Sequence, residues 1–167
     1  MSAETTEIRY AAPEDVPLVL AFIRGLAEYE KLASQVVATE EGLRESLFGA
    51  RPACEVLIAT HGGRPAGFAL FFHNYSTFLG QRGVYLEDLF VIPELRGKGI
   101  GKALLERLAA IAQERGCGRL EWAVLDWNTP AIDFYRKLGA VTMDDWTVFR
   151  LTGEALRRLG RTSKEER

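Results

Sequence analysis

The stretch Tyr85-Leu86-Glu87-Asp88-Leu89-Phe90-Val91-Ile92-Pro93-Glu94-Leu95-Arg96-Gly97-Lys98-Gly99-Ile100-Gly101-Lys102 decides how this chain folds. An apolar strand carrying two adjacent acids runs into a glycine-rich, basic turn, and an amphipathic helix starts on that turn. Glycine lets backbone approach a ligand closely, and the first N–H groups of a helix have no partner inside it. With the positive end of the helix dipole, roughly +0.5 charge, they make an anion site. Arg96, Lys98 and Lys102 bring more positive charge to the same place. A phosphate or pyrophosphate is the expected guest.

The spacing narrows the choice. A Walker loop, G-x-x-x-x-G-K-[ST], fails because residue 96 is arginine and Lys102 is followed by Ala103. The dinucleotide fingerprint G-x-G-x-x-G fails because Lys102 stands where the third glycine belongs. The pattern that fits is Arg-x-x-Gly-x-Gly over Arg96, Gly99 and Gly101. It resembles the pyrophosphate loop of the GNAT family of N-acetyltransferases, which bind acetyl-coenzyme A. A glycine-rich strand-to-helix turn with no ligand is the plainer alternative.

A second segment bears on that choice. Asn128-Thr129-Pro130-Ala131-Ile132-Asp133-Phe134-Tyr135-Arg136-Lys137-Leu138-Gly139 resembles the family's Asn-x-x-Ala-x-x-Phe-Tyr-x-x-x-Gly helix. Tyr85 to Val91, Asp126-Trp127-Asn128 and Leu26-Ala27-Glu28-Tyr29-Glu30 resemble one branch, the spermidine/spermine (diamine) and thialysine acetyltransferases. The likeness runs from about residue 7 to 152.

Composition agrees with one soluble domain. A chain of 167 residues suits a single core. A net charge of -2 supplies no basic field for nucleic acid. No stretch reaches the roughly 18 apolar residues of a membrane span, and no signal-peptide pattern opens the sequence. Cys54 and Cys117 have neither metal-ligand nor disulfide-framework spacing, so they read as buried thiols in a reducing cytoplasm, with no metal expected. His61 and His73 read as surface or strand residues.

Periodicity predicts a mixed α/β fold. A strand near Ile8 to Ala11 leads into a helix with Pro13 near its start and Val16, Leu20, Ile23 and Ala27 as its stripe. Thr39 caps a second helix to Phe48. Glu55 to Thr60 and Pro65 to His73 form a hairpin across His61-Gly62-Gly63-Arg64. Val84 to Ile92 is the central strand; Ile100, Leu104, Leu108 and Ile111 bury the next helix, which ends at Gly116. A strand from Leu120 to Leu125 precedes a helix capped by Asn128 or Thr129, with Pro130 in its first turn and Gly139 past its end. Strands near Ala140 to Met143 and Trp146 to Leu151 are expected to complete one domain over residues 1–152. Residues 153–167 form a charged tail, frayed from Arg157. The resemblance implies the GNAT fold: a central mixed sheet whose middle strands splay apart, flanked by helices, with the cofactor's pantetheine arm in the gap.

Acetylating an amine sets three demands. An alkylammonium with a pKa near ~10.4 is neutral in about one molecule per thousand at pH 7. A route for its proton, an electrophile at contact distance and an acid for the departing thiolate are therefore needed. Glu87 and Asp88 point to opposite faces of an ideal strand, so at least one lies near an apolar layer, where burial raises a carboxyl toward the range of a base. The alternative is an acid that only pairs with arginine or caps a turn. Tyr135, by spacing, is a core aromatic with its hydroxyl satisfied locally.

The resemblance assigns roles beyond that reading. It makes Glu87 a substrate contact and the base, acting through water, and leaves Asp88 open. It makes Tyr135 the acid that protonates the cofactor sulfur. Leu89, Phe90 and Val91 would pair with the pantetheine arm like an added strand, Asn128 would bond it, and Pro130 and Ala131 would lie beside the cofactor. The backbone of Gly97, Lys98, Gly99, Ile100, Gly101 and Lys102, with Arg96, would hold the pyrophosphate. Tyr29, Glu30 and Asp145 (or Asp144) would line the amine site. Where the polyamine enzymes read Tyr-Asp-Pro-Trp, this chain has Tyr75-Ser76-Thr77-Phe78. The lost acid makes a lysine-like amine as reasonable a substrate as spermidine. The rival readings are a catalytically silent acyl-CoA sensor and a transferase acting on a protein or another small amine. A homodimer is the expectation by analogy.

Overall fold

The computed structural model describes residues 4–165, and the chain divides after Leu125 into two compact units. The first holds a five-stranded sheet in the order β1 (Thr6–Tyr10), β2 (Glu55–His61), β3 (Arg64–Ser76), β4 (Gln81–Val91), β5 (Leu120–Trp122). Neighbours are antiparallel except β4 and β5, which are parallel. The mixed sheet expected from the sequence is present.

Local chemistry explains the elements. Gly62 and Gly63 have φ of 56° and 75°, so the β2–β3 hairpin closes on a two-residue turn that only such conformations allow. Helix α1 (Val16–Tyr29) buries Val16, Val19, Leu20, Phe22 and Ala27. Helix α2 (Glu40–Phe48) starts where the Thr39 hydroxyl accepts from the Gly42 N–H at 3.1 Å. Both cover one face of the sheet, with Phe22, Leu43 and Leu47 packed on Val56, Ile58, Phe68, Leu70 and Phe90. The rings of Phe22 and Phe68 stack at 5.4 Å. Helix α3 (Ile100–Glu114) lies on the opposite face, where Arg115 at its end covers Phe71.

β4 carries one irregularity. Phe71 stands opposite Leu86, but Leu70 stands opposite Asp88, so Glu87 is an extra residue in β4. The bulge overturns the simple alternation read from the sequence. Leu86 lies with Phe71 on the α3 face, and Asp88 lies with Leu70 on the α1–α2 face, two residues later. Beyond the bulge β4 loses its other neighbour, because β5 pairs with it only from Val84 to Leu86. This is the expected parting of the central strands.

The second unit holds α4 (Thr129–Lys137) and α5 (Gly153–Glu165). Three expectations change here. The strand from Leu120 stops at Trp122 and does not reach Leu125. Residues 140–143 and 146–151 form no strand. Instead the Thr142 hydroxyl donates to Asp144 at 3.0 Å and the Trp146 N–H to the Met143 carbonyl at 3.2 Å, a local turn that leaves Phe149 92% exposed. Residues 153–165 are helical, not frayed: Glu154 in the first turn pairs with Arg157 at 3.1 Å and Arg161 at 3.4 Å. Residues 166–167 of the expected tail lie outside the described residues.

Both thiols are free and half-buried, less enclosed than the sequence suggested. Among the described residues no cluster of His, Cys, Asp and Glu could hold a metal ion, and no helix is long and apolar enough to cross a membrane.

Candidate active site

β4 runs directly into the anion site. After Val91 a 3-10 turn (Pro93–Leu95) leads to Gly97 and Gly99, with φ of 76° and 81°, and Gly99 caps α3 in the left-handed conformation. A residue with a Cβ is strained at both positions. The Ala103 N–H donates to the Gly99 carbonyl at 2.9 Å, so the N–H groups ahead of it lie outside the helical ladder and remain for a ligand. The Cβ of a residue at 101 would meet only Val91 Cγ2, at 3.8 Å. Backbone can therefore approach a phosphate here, and the loop fits the group expected of it.

The cationic side chains of the turn each have a partner within the protein. Arg96 donates from Nε to the Val91 carbonyl at 2.9 Å and lies over the Tyr29 ring at 4.7 Å. Lys98 reaches Glu4 at 3.4 Å, and that carboxylate also meets the buried His61 at 3.2 Å. Lys102 pairs with Glu106 at 3.4 Å.

The bulge gathers acids on the α1–α2 face. Burial, then the neighbouring Glu87 and Glu30, push the Asp88 carboxyl up to about 6. Burial alone raises Glu30 above the ordinary carboxylate range. Glu87 itself is exposed. Asp88, which the sequence left open, is the more buried of the two adjacent acids in β4. Beside them Tyr85 packs on Phe72 at 5.2 Å, and its phenol is raised by burial and then by Glu87 and Glu121. A cavity of about 550 Å³ opens nearby, lined by Leu47, Cys54, Phe72 and His73 among others. Burial, then the charges of Asp88 and Glu55, raises the Cys54 thiol.

Around that cavity the sequence missed a polar hub. Arg115 forms a bidentate pair with Glu55 at 2.6 and 2.9 Å and donates to Tyr10 at 3.2 Å. It also approaches His73 Nε2 at 2.9 Å, while His73 Nδ1 meets the Gly83 carbonyl at 2.9 Å. No spacing rule links residues 10, 55, 73 and 115; only the sheet order brings them together. Ser76 differs too from its reading as a vacant acid position. It is buried, and its hydroxyl accepts from the Leu79 N–H at 3.2 Å, capping the β3–β4 turn.

The remaining candidates belong to the second unit. Asn128 is buried and its Oδ1 accepts from the Ala131 N–H at 3.4 Å, so it, and not Thr129, caps α4. Pro130 occupies the first turn, and Tyr135 lies against Phe134 at 5.5 Å. Asp145 is exposed in the turn before Trp146.

Residues 23–140 match the profile of the acetyltransferase (GNAT) family. The chain is 44% identical to a thialysine N-epsilon-acetyltransferase of Bos taurus, over 91% of this chain and 95% of that one. It is 36% identical to an L-ornithine N5-acetyltransferase of Arabidopsis thaliana, over 90% and 86%. Among solved structures, an integron cassette protein of Vibrio cholerae superposes with a TM-score of 0.78 at 30% identity, over 93% and 98%. The family profile and the relatives together define an acyl-group transferase. The chain belongs to the GNAT family of acetyltransferases, enzymes that take acetyl-CoA as co-substrate.

Proposed function

We propose that this enzyme acetylates the side-chain amine of a lysine-like amino acid, such as thialysine or ornithine. The observation that carries the proposal is the acidic face formed by Glu30, Glu87 and Asp88, two of them perturbed upward, at the bulge that leads into the phosphate loop. It suits a substrate that arrives as a cation and must leave one proton behind. The amines named for the bovine and Arabidopsis relatives agree with that charge pattern.

The residues divide the work as follows. The N–H groups from Gly97 to Lys102 hold the diphosphate of acetyl-CoA, and the open edge of β4 at Leu89 to Val91 receives the pantetheine arm. Tyr29 and Glu30 line the amine site, and the family resemblance assigns Asp145 to the amine as well. Glu87 takes the ammonium proton through water, while Asp88 supplies negative charge behind it and shares the proton load. Tyr135 donates its phenolic proton to the departing sulfur; a phenol with pKa near ~10 carries that proton throughout the neutral range. The roles of Asn128, Pro130, Ala131, Tyr135 and Asp145 come from the family resemblance. A homodimer is proposed on the same footing, and a cytoplasmic location from the reading of Cys54 and Cys117 as reduced thiols.

The test is a panel of thialysine, ornithine, lysine, spermidine and spermine with acetyl-CoA, reading free thiol. Thialysine or ornithine should give the highest kcat/KM. A strong preference for spermine would replace this reading with that of a polyamine enzyme.

A further inference from the structure

Arg96 follows the 3-10 turn in extended conformation, and the fold uses its side chain twice. Nε donates to the carbonyl of Val91, the last residue of β4, at 2.9 Å. The guanidinium lies 4.7 Å from the ring centroid of Tyr29, the last residue of α1, and 5.5 Å from that of Phe90. Helix α1 also sits tightly on Phe90: a Cβ at Gly25 would come within 2.8 Å of that ring. One side chain thus touches the end of α1, the end of β4 and the turn that opens α3. Lys98 and Lys102, on the same turn, reach only surface carboxylates.

We propose that Arg96 is a positioning residue that couples the phosphate turn to the amine-binding end of α1. The inference rests on the acetyltransferase reading above and adds a link between its two substrates. A diphosphate held by the N–H groups of residues 97–102 fixes the backbone on both sides of Arg96. With Nε tied to Val91, the guanidinium rests over Tyr29 and beside Phe90, and Tyr29 is the residue next to Glu30 at the end of α1. Arginine suits this task because its planar fork can stack and donate at once, which a lysine ammonium cannot do. Linkage makes the effect reciprocal: CoA tightens the amine by the same factor as the amine tightens CoA.

Calorimetry on the full chain tests this without turnover, using CoA and thialysine, separately and together. In the wild type CoA should tighten thialysine by about fivefold or more, the lower range of such couplings. Arg96→Lys keeps the positive charge but loses the Nε donor and the flat face. The coupling should fall below about twofold, whether or not the affinity for CoA itself changes. Tyr29→Leu should abolish the coupling as well, and the double variant should be no worse than either single one. A wild type without coupling overturns the proposal, as does an Arg96→Lys enzyme with coupling intact. Loss of CoA affinity alone would make Arg96 a plain phosphate anchor. The amine panel tests the functional reading separately, since it reads turnover in wild type.

Discussion

Leu70 stands opposite Asp88 one residue out of step with the Phe71–Leu86 pair, and that slip turns the Asp88 carboxyl inward against the α1–α2 layer. The native protein therefore holds a proton at Asp88 up to about pH 6, whereas the unfolded chain releases it near 3.8. Between those values the native state binds more protons, so stability falls as pH rises through the window and the loss is complete above it. Its size is on the order of 3 kcal/mol at most. Asp88→Asn should therefore unfold at higher denaturant than wild type at pH 7.5 and at nearly the same concentration at pH 4. An equal difference at both pH values would show that Asp88 carries no such strain.

Glu55 has the opposite sign. The Arg115 guanidinium holds its carboxyl below the usual range, so the stabilisation is present above the unfolded value and disappears as pH falls through the folded one. Both side chains keep about a third of their surface in water, 28% for Arg115 and 36% for Glu55. Solvent screening limits the pair to roughly 1 kcal/mol. Glu55→Gln should lower the denaturation midpoint at pH 7 and match wild type near pH 3. The comparison is a urea titration at the two pH values.

Gly99 tests the phosphate loop. No atom lies within 4 Å of where its Cβ would be, so what excludes a side chain is the backbone φ of 81°. Gly99→Val should distort the turn and abolish the rise in melting temperature that acetyl-CoA gives the native state by mass action. An unchanged shift would remove this turn from the cofactor site.

The glycine turn before α3 was legible because its cause is local. Gly97 and Gly99 take left-handed conformations at the start of α3 for reasons written within six residues. Glu87 was placed in the right strand and given the wrong geometry, since a bulge depends on how β3 pairs with β4 and leaves no trace in the alternation of β4 itself. The hub of Arg115, Glu55, Tyr10 and His73 was invisible for the same reason. The segments 140–143 and 146–151 look like strands by composition, yet a strand exists only where a partner ladder forms. Tyr29 and Arg96 were each singled out for a different ligand. Their stacking on each other is a tertiary fact.

Tyr135→Phe keeps the ring beside Phe134 and deletes one proton. We expect kcat to fall by roughly 10²–10⁴, the range for a general acid, with the melting temperature nearly unchanged. Single-turnover release of free thiol measures the step directly. Normal release at every pH would mean that another group protonates the sulfur.

Glu87 and Asp88 are adjacent, so the identity of the base is decided by comparing their variants. Glu87→Gln removes the exposed carboxylate at the bulge and leaves the buried one in place. If Glu87 relays the ammonium proton, turnover should fall most near neutral pH, where an amine of pKa near ~10.4 is almost wholly charged. Raising the pH toward that value supplies neutral amine from solution, and part of the lost rate should return. If Asp88 is the acceptor, Asp88→Asn should show the recovery and Glu87→Gln should show a raised KM for the amine at every pH, the mark of lost positioning. The pH profiles of kcat/KM for wild type and both variants separate these outcomes. In wild type the Asp88 carboxyl near 6 should also appear as a limb on the acid side, below which activity declines because the proton already occupies the site. Glu87→Gln must keep that limb and Asp88→Asn must lose it. A limb that survives Asp88→Asn belongs to a different group, and the proton route assigned to this acidic face would then be wrong.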